Sequence, residues 1–270
     1  MRTGTILLLT VLLTGGCALK GNLLQPEEKP HYRTASLEQL LGSLTTGKAG
    51  IQNLKANFSA LITERRNGTK ESCDGMLAMA RPDKLRVKAS KAMLPTFFDL
   101  VCTGSRVSFY VPRERTVYRG HRDTGSAITT LAGLNTLMNV FWGTENQSGT
   151  EHFLESQETK YVVYTIMQSG GKQRLVSKVY FNRLLLQPDR YQYFDQDGAL
   201  IRDIVCADFF EPEGTDTYIP LRISMKMHPE MTGLLLRLRN PRVNIPLNPG
   251  LFHLEVPPSV RSRPLEEYLK

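Results

Sequence analysis

Leu54-Lys55-Ala56-Asn57-Phe58-Ser59-Ala60-Leu61-Ile62 is the stretch from which the fold is read. Leu54, Ala56, Phe58, Ala60 and Ile62 occupy every second position, separated mostly by polar side chains. Successive side chains of a strand point to opposite faces, so this spacing predicts a strand with one apolar and one wet face. The same alternation returns in Leu85-Val87-Ala89, Phe98-Leu100-Cys102, Val107-Phe109-Val111, Leu221-Ile223-Met225-Met227 and Leu234-Leu236-Leu238. Turn residues separate the runs: Asn67-Gly68, Arg81-Pro82-Asp83, Ser169-Gly170-Gly171 and Asp195-Gln196-Asp197-Gly198. About ten or eleven strands in an antiparallel meander are expected.

Two stretches change the period from 2 to 3.6. Ser36, followed by Glu38-Gln39 and by Leu37, Leu40, Leu41 and Leu44, reads as a capped amphipathic helix running on, broken near Gly47–Gly50, toward Leu54. Ser126–Phe141 repeats Ile128, Leu131, Leu134, Leu137, Met138 and Phe141 at helical spacing between Gly125 and Gly143. A curved antiparallel sheet of this size can close, or nearly close, around its own apolar face, with the helices over the open side. The expectation is one mainly β domain with two helices, and neither a repeat nor a second domain is found.

The first residues carry a different signal. Arg2, the apolar stretch Ile6–Leu13 and the small residues Thr14, Gly15 and Gly16 read as a signal peptide over residues 1–16. An apolar stretch this short falls well below the roughly 20 residues of a membrane-spanning helix. Leu13-Thr14-Gly15-Gly16-Cys17 resembles a lipobox, which implies diacylglycerol on the Cys17 thiol, although the commonest form carries Leu where Thr14 stands. Each buried CH₂ of such an anchor contributes about 0.8 kcal/mol, so two or more chains hold a protein at a membrane. Residues 17–35 are then the anchor and a polar tether, 36–260 the folded domain, and 261–270 a C-terminal tail.

The formal charge is +8. Loss of residues 1–16, where Arg2 is the one charged side chain, leaves about +7, which suits an anionic membrane surface. Lys and Arg are scattered instead of clustered among aromatics, so no nucleic-acid partner is expected. Cys73, Cys102 and Cys206 make an odd set without CxxC spacing; one disulfide with one thiol and simple core packing both remain open. Gly42-Ser43-Leu44-Thr45-Thr46-Gly47-Lys48 matches most of a phosphate loop, but Ala49 replaces its Ser or Thr and a helix precedes it. His31, His121, His152, His228 and His253 are isolated, and neither HExxH nor GxSxG occurs. No metal, cofactor or catalytic residue is expected, and the chain is not read as an enzyme.

Three segments, in their order, resemble the Lol lipoprotein-carrier family, whose members LolA and LolB share an unclosed β-barrel with a helical lid. Gly75-Met76-Leu77-Ala78-Met79-Ala80-Arg81-Pro82 with Leu85-Arg86-Val87 is similar to the family's G-x-L-x-x-x-R-P and its next strand. Asp195-Gln196-Asp197-Gly198 precedes Tyr218-Ile219-Pro220-Leu221, which opens a strand. Asn244-Ile245-Pro246-Leu247 leads to Phe252-His253-Leu254-Glu255-Val256-Pro257-Pro258, similar to the closing F-x-F-x-P-P. The resemblance spans Ser36 to Val260. The strand motif looks more like LolA's, a soluble shuttle, whereas a lipobox is LolB's feature.

The resemblance implies a single unclosed antiparallel β-barrel under a helical lid, and an apolar cavity that takes lipoproteins or other acylated molecules toward the outer membrane. Cavity and lid candidates are Phe58, Ile62, Met76, Met79, Leu85, Val87, Leu131, Leu134, Met138, Ile223 and Met225. The methionines, Met227 among them, would give the walls adaptable shape. Arg81 matches the family arginine that faces the cavity and holds the lid, so it would contact the lid helix or an acyl ester. A periplasmic carrier protein is a further expected partner. Ala18 is not the aspartate that retains lipoproteins in the inner membrane under the family's sorting rule, which implies the periplasmic face of the outer membrane. The competing expectation is an envelope sensor or assembly lipoprotein that uses the same fold as a protein-interaction surface, with contacts on Arg113 and Arg115.

Overall fold

The computed structural model describes residues 31–45, 50–64, 68–91, 94–121, 137–143, 149–228 and 232–269. Cys17, Leu131 and Leu134 lie outside these, as do most of the tether and the start of the second helical stretch. Tyr32–Lys270 forms one compact unit.

Among the described residues fourteen strands join in one sheet. One meander runs through β1 (Asn53–Glu64), β2 (Thr69–Ala80), β3 (Lys84–Lys91), β4 (Leu94–Thr103), β5 (Arg106–Val111) and β6 (Thr116–His121). A second runs through β7 (Thr150–Ser156), β8 (Lys160–Ser169), β9 (Lys172–Asn182), β10 (Gln187–Phe194), β11 (Leu200–Phe210), β12 (Ile219–Met227) and β13 (Thr232–Val243). The two meet where β1 pairs antiparallel with β13, and β7 lies at the far edge of the sheet. The sheet is unclosed and antiparallel except at one edge, as the resemblance to the Lol family implied.

The expected count was low because the second meander hides its alternation. In β8, Tyr161, Val162 and Val163 are all buried, so the strand reads as a continuous apolar run, and β10 carries Pro188. Period 2 is visible only where one face is wet.

Register sorts the two faces. Ala56, Leu77, Val87, Leu100, Phe109 and Tyr118 stand opposite one another across β1 to β6. Ile62, Leu234, Met225, Ile204, Tyr191, Val179, Val163 and Leu154 do so from β1 to β7. Among the described residues this inner face holds one hydrophobic cluster. Gly75 lies on it because Phe58 needs the space: a Cβ at Gly75 would stand 2.2 Å from the Lys88 carbonyl oxygen and 2.6 Å from Phe58 Cζ.

Helix α1 (Leu37–Thr45) starts at the expected capping box. Ser36 Oγ accepts from the Gln39 amide at 3.2 Å, and Gln39 Oε1 accepts from the Ser36 amide at 2.9 Å. The helix does not run on toward Leu54: Asn53 and Leu54 are already in β1, paired with Ala80 and Met79.

The C-terminal segment is a strap, not a tail. After β13 the chain crosses the outer face of β3 and β4 through a 3₁₀ turn at Pro249–Phe252. Arg86 donates to Asp99 through Nε (3.0 Å) and Nη2 (2.7 Å), and through Nη1 to the Leu251 carbonyl (2.9 Å). β14 (Arg261–Pro264) then pairs parallel with β6, and the following turn seats Leu265 over Gly120 on the inner face. Tyr268 packs against the rings of Phe109 and Tyr118, at centroid distances of 4.8 and 5.0 Å. Cys73, Cys102 and Cys206 are buried in the core, and no disulfide joins them.

Candidate functional site: the lidded inner face

Helix α1 buries Leu40 and Leu44 in the inner-face cluster, and the helical residues 137–142 bury Leu137, Met138, Val140, Phe141 and Trp142 in it. Both elements therefore cover the sheet from the same side. The apolar stripe at helical spacing and the apolar stripe at period 2 are two surfaces of one core.

Arg81 fastens this lid. It sits in the turn after β2, where its Nε donates to the Ile51 carbonyl at 2.9 Å and its Nη2 to the Trp142 carbonyl at 3.4 Å. The guanidinium carbon lies 5.0 Å from the centre of the Trp142 ring, a cation–π distance. One side chain thus joins the sheet, the chain after α1 and the second helical segment. The Trp142 Nε1 is buried and has no acceptor among the described residues.

The candidate residues do not all reach the interior. Phe58, Met79, Leu85, Val87, Ile223 and Met225 lie on the inner face and are shielded from water, with Met138 above them. Ile62 is on the same face but half-exposed near the hairpin end. Met76 points to the outer face, since it stands opposite Asn57 and Lys88 while Leu77 stands opposite Ala56 and Val87. A period of 2 makes a one-residue offset decisive, and in Gly75–Ala80 both faces are apolar, so composition alone could not separate them. Arg113 and Arg115 are exposed on the turn between β5 and β6, where the Arg115 carbonyl accepts from the Arg261 amide of the strap.

The centre of the inner face is buried, while Ile62, Thr165, Tyr193 and Arg202 toward the hairpin ends are partly exposed. A depression of about 220 Å³ lies on the opposite face, over Gly233, between Leu61, Thr63, Ser224, Lys226 and Leu235. Drug-sized ligand pockets run from roughly 300 to 1,000 Å³, so this one falls short. No group of three metal-ligating side chains occurs among the described residues, and no helix among them is long and apolar enough to cross a membrane.

One band was not foreseen. At the hairpin end of the second meander, His152, Thr165, Ser177, Tyr193 and Arg202 stand opposite one another across β7 to β11, on the inner face. His152 Nδ1 lies 3.3 Å from Thr165 Oγ1, and the Arg202 guanidinium carbon is 5.7 Å from the Tyr193 ring centre. Burial pushes the Tyr193 phenol up to about 12 and the His152 imidazole down. At neutral pH both are uncharged. The signal in the sequence was the order of polar residues at every second position, which needs the register to be read across five strands.

Sequence comparison finds no matching family profile and no matching curated relative. Comparison of folds does find neighbours. A DUF1329 family protein from Desulfovibrio piger superposes with a TM-score of 0.60 at 13% identity, covering 79% of this chain and 94% of that one. A LolA superfamily protein from Nitrosomonas europaea gives 0.55 at 11% identity, with coverage of 82% and 99%. A domain from Vibrio parahaemolyticus assigned to outer-membrane lipoprotein sorting gives 0.55 at 12% identity, with coverage of 80% and 94%. At such identities the likeness is one of fold, and the fold of this chain is the open, lidded half-barrel of LolA-like proteins.

Proposed function

We propose that this protein is a lipid-anchored, non-enzymatic binding protein of the periplasm. It accepts lipoproteins or other acylated molecules against the inner face of its sheet and helps deliver them to the outer membrane. The observation that carries this reading is the construction of the interior. A broad apolar sheet face is covered by short helical pieces, and one arginine, Arg81, ties the second of them down. Displacing such a cover exposes an acyl-binding surface worth about 0.8 kcal/mol per buried CH₂.

Further support comes from the fold neighbours, one of them assigned to lipoprotein sorting, and from the lipobox-like run ending in Cys17. Acyl chains on Cys17 would hold the domain at the periplasmic face of the outer membrane.

The test uses the mature domain without its acyl group, purified free of detergent. Native mass spectrometry should show a bound lipid, or a fluorescent fatty acid should bind with saturation. Ile62→Asp, at the half-exposed end of the inner face, should abolish binding without unfolding the domain. A monodisperse protein with no bound mass and no probe binding overturns the proposal.

A further inference from the structure

The inner face changes character within a single pleat. The row Leu154, Val163, Val179, Tyr191, Ile204 and Met225 is apolar but for one phenol. The next row toward the hairpins, about 7 Å on at two residues of rise, is His152, Thr165, Ser177, Tyr193 and Arg202. A third residue set follows at the rim, where Thr150 stands opposite Met167 and Met167 opposite Arg174.

Arg174 is the informative member. Its Nη2 contacts the Met167 sulfur at 3.6 Å, a weak acceptor, and its Nε–H is buried with no acceptor among the described residues. A buried guanidinium N–H without an acceptor costs free energy that a ligand oxygen would recover. Arg202 stands opposite Tyr193 and Met227, with its guanidinium carbon 5.7 Å from the Tyr193 ring centre. Arg174 and Arg202 and several neutral hydrogen-bonding groups thus lie on the inner side of this end of the sheet.

Resting on the carrier reading above, we propose that this band is a headgroup site: Arg174 and Arg202, with Thr165, Ser177, Tyr193 and His152, bind the anionic carboxylate or phosphate of an amphiphile whose acyl chain lies along the adjoining apolar rows. Guanidinium groups suit both anions, because their planar donors pair with two oxygens at once. The proposal narrows the cargo. The acyl groups of a lipoprotein are joined by uncharged ester, amide and thioether links, whereas fatty acids and phospholipids carry the charge at the place where this band stands.

The test compares cis-parinaric acid with its methyl ester on the unaltered mature domain. The acid should bind about ten-fold more tightly, the effect of one charge-assisted hydrogen bond. In the Arg174→Gln/Arg202→Gln variant the two should bind alike, and Arg174→Lys/Arg202→Lys should restore part of the difference. Displacement by palmitate alone assigns a carboxylate, by short-chain phosphatidylglycerol alone a phosphate, and by both the shared anion; each supports the site. Equal binding of acid and ester to the unaltered domain, or displacement by uncharged diacylglycerol as effective as by phosphatidylglycerol, overturns it while leaving the carrier reading intact. If neither probe binds, the carrier reading fails as well.

Discussion

The two meanders are built from the same alternating strands but are held differently. The first, β1 to β6, is clamped on both faces. Arg81 ties its end to the lid, Arg86 ties its outer face to the strap, and Leu265 and Tyr268 close its edge. The second is held by the segment before α1, where the Arg33 amide donates to the Arg183 carbonyl at 2.9 Å, and by pairs within the sheet such as Arg190 with Asp203 at 2.8 Å and Lys160 with Asp189 at 3.2 Å. Their inner hairpin ends differ too. In the first meander Lys91 lies 3.8 Å from Glu71; in the second, Arg174 stands opposite Met167 and Arg202 opposite Tyr193. One half is a fixed wall, and the other presents chemistry.

The largest expected effect comes from breaking the clamp on the first half. Arg86→Ala removes the bidentate partner of Asp99, whose side chain is only 7% exposed. Stranding a buried carboxylate in this way costs about 3–5 kcal/mol. Denaturant unfolding should show that loss, and an unchanged midpoint would mean that the strap does not hold the wall.

A smaller effect follows at the lid. Arg81→Gln loses the bonds to Ile51 and Trp142, about 1–3 kcal/mol. Amide hydrogen exchange should speed up at residues 137–142 while the strands of the second meander keep their protection. Equal loosening of both halves would show that Arg81 supports the whole core and not the lid in particular.

The smallest effect is a pH dependence confined to the second half. Burial holds the His152 imidazole below its ordinary value, so the folded state takes up this proton less readily than the unfolded chain. Stability is then full above about pH 6.5 and falls as the pH drops below it. His152→Asn should flatten that part of the stability curve, and a curve identical to that of the unaltered protein would mean that His152 is not the group responsible.

Much of the first half was legible in its residues. Leu54 to Ile62 and Leu85 to Ala89 alternate plainly because their outer faces are wet, and Ser36 with Gln39 is a cap that needs no tertiary partner. The second half was undercounted, because aromatic and β-branched side chains occupy both faces of β8 and β9. Met76 was assigned inward for the same reason, since nothing in its own strand fixes which face is buried. The headgroup band was invisible for a deeper cause: His152, Thr165, Ser177, Tyr193 and Arg202 belong to five strands and become neighbours only through register. Strap and tail also look alike in sequence, for β14 is a strand only because β6 offers it an edge.

The junction of the meanders also sets a clock for folding. Phe58 of β1 pairs with Leu238 of β13, 180 positions further along the chain. Each meander can zip up by local hairpins, yet the central pair must close one very long loop, a slow step for any topology rich in distant contacts. At synthesis rates of roughly 5–20 residues per second, β13 follows β1 by about 9–36 s. For that interval β1 has an unpaired edge and an uncovered apolar face, the two hazards that invite aggregation.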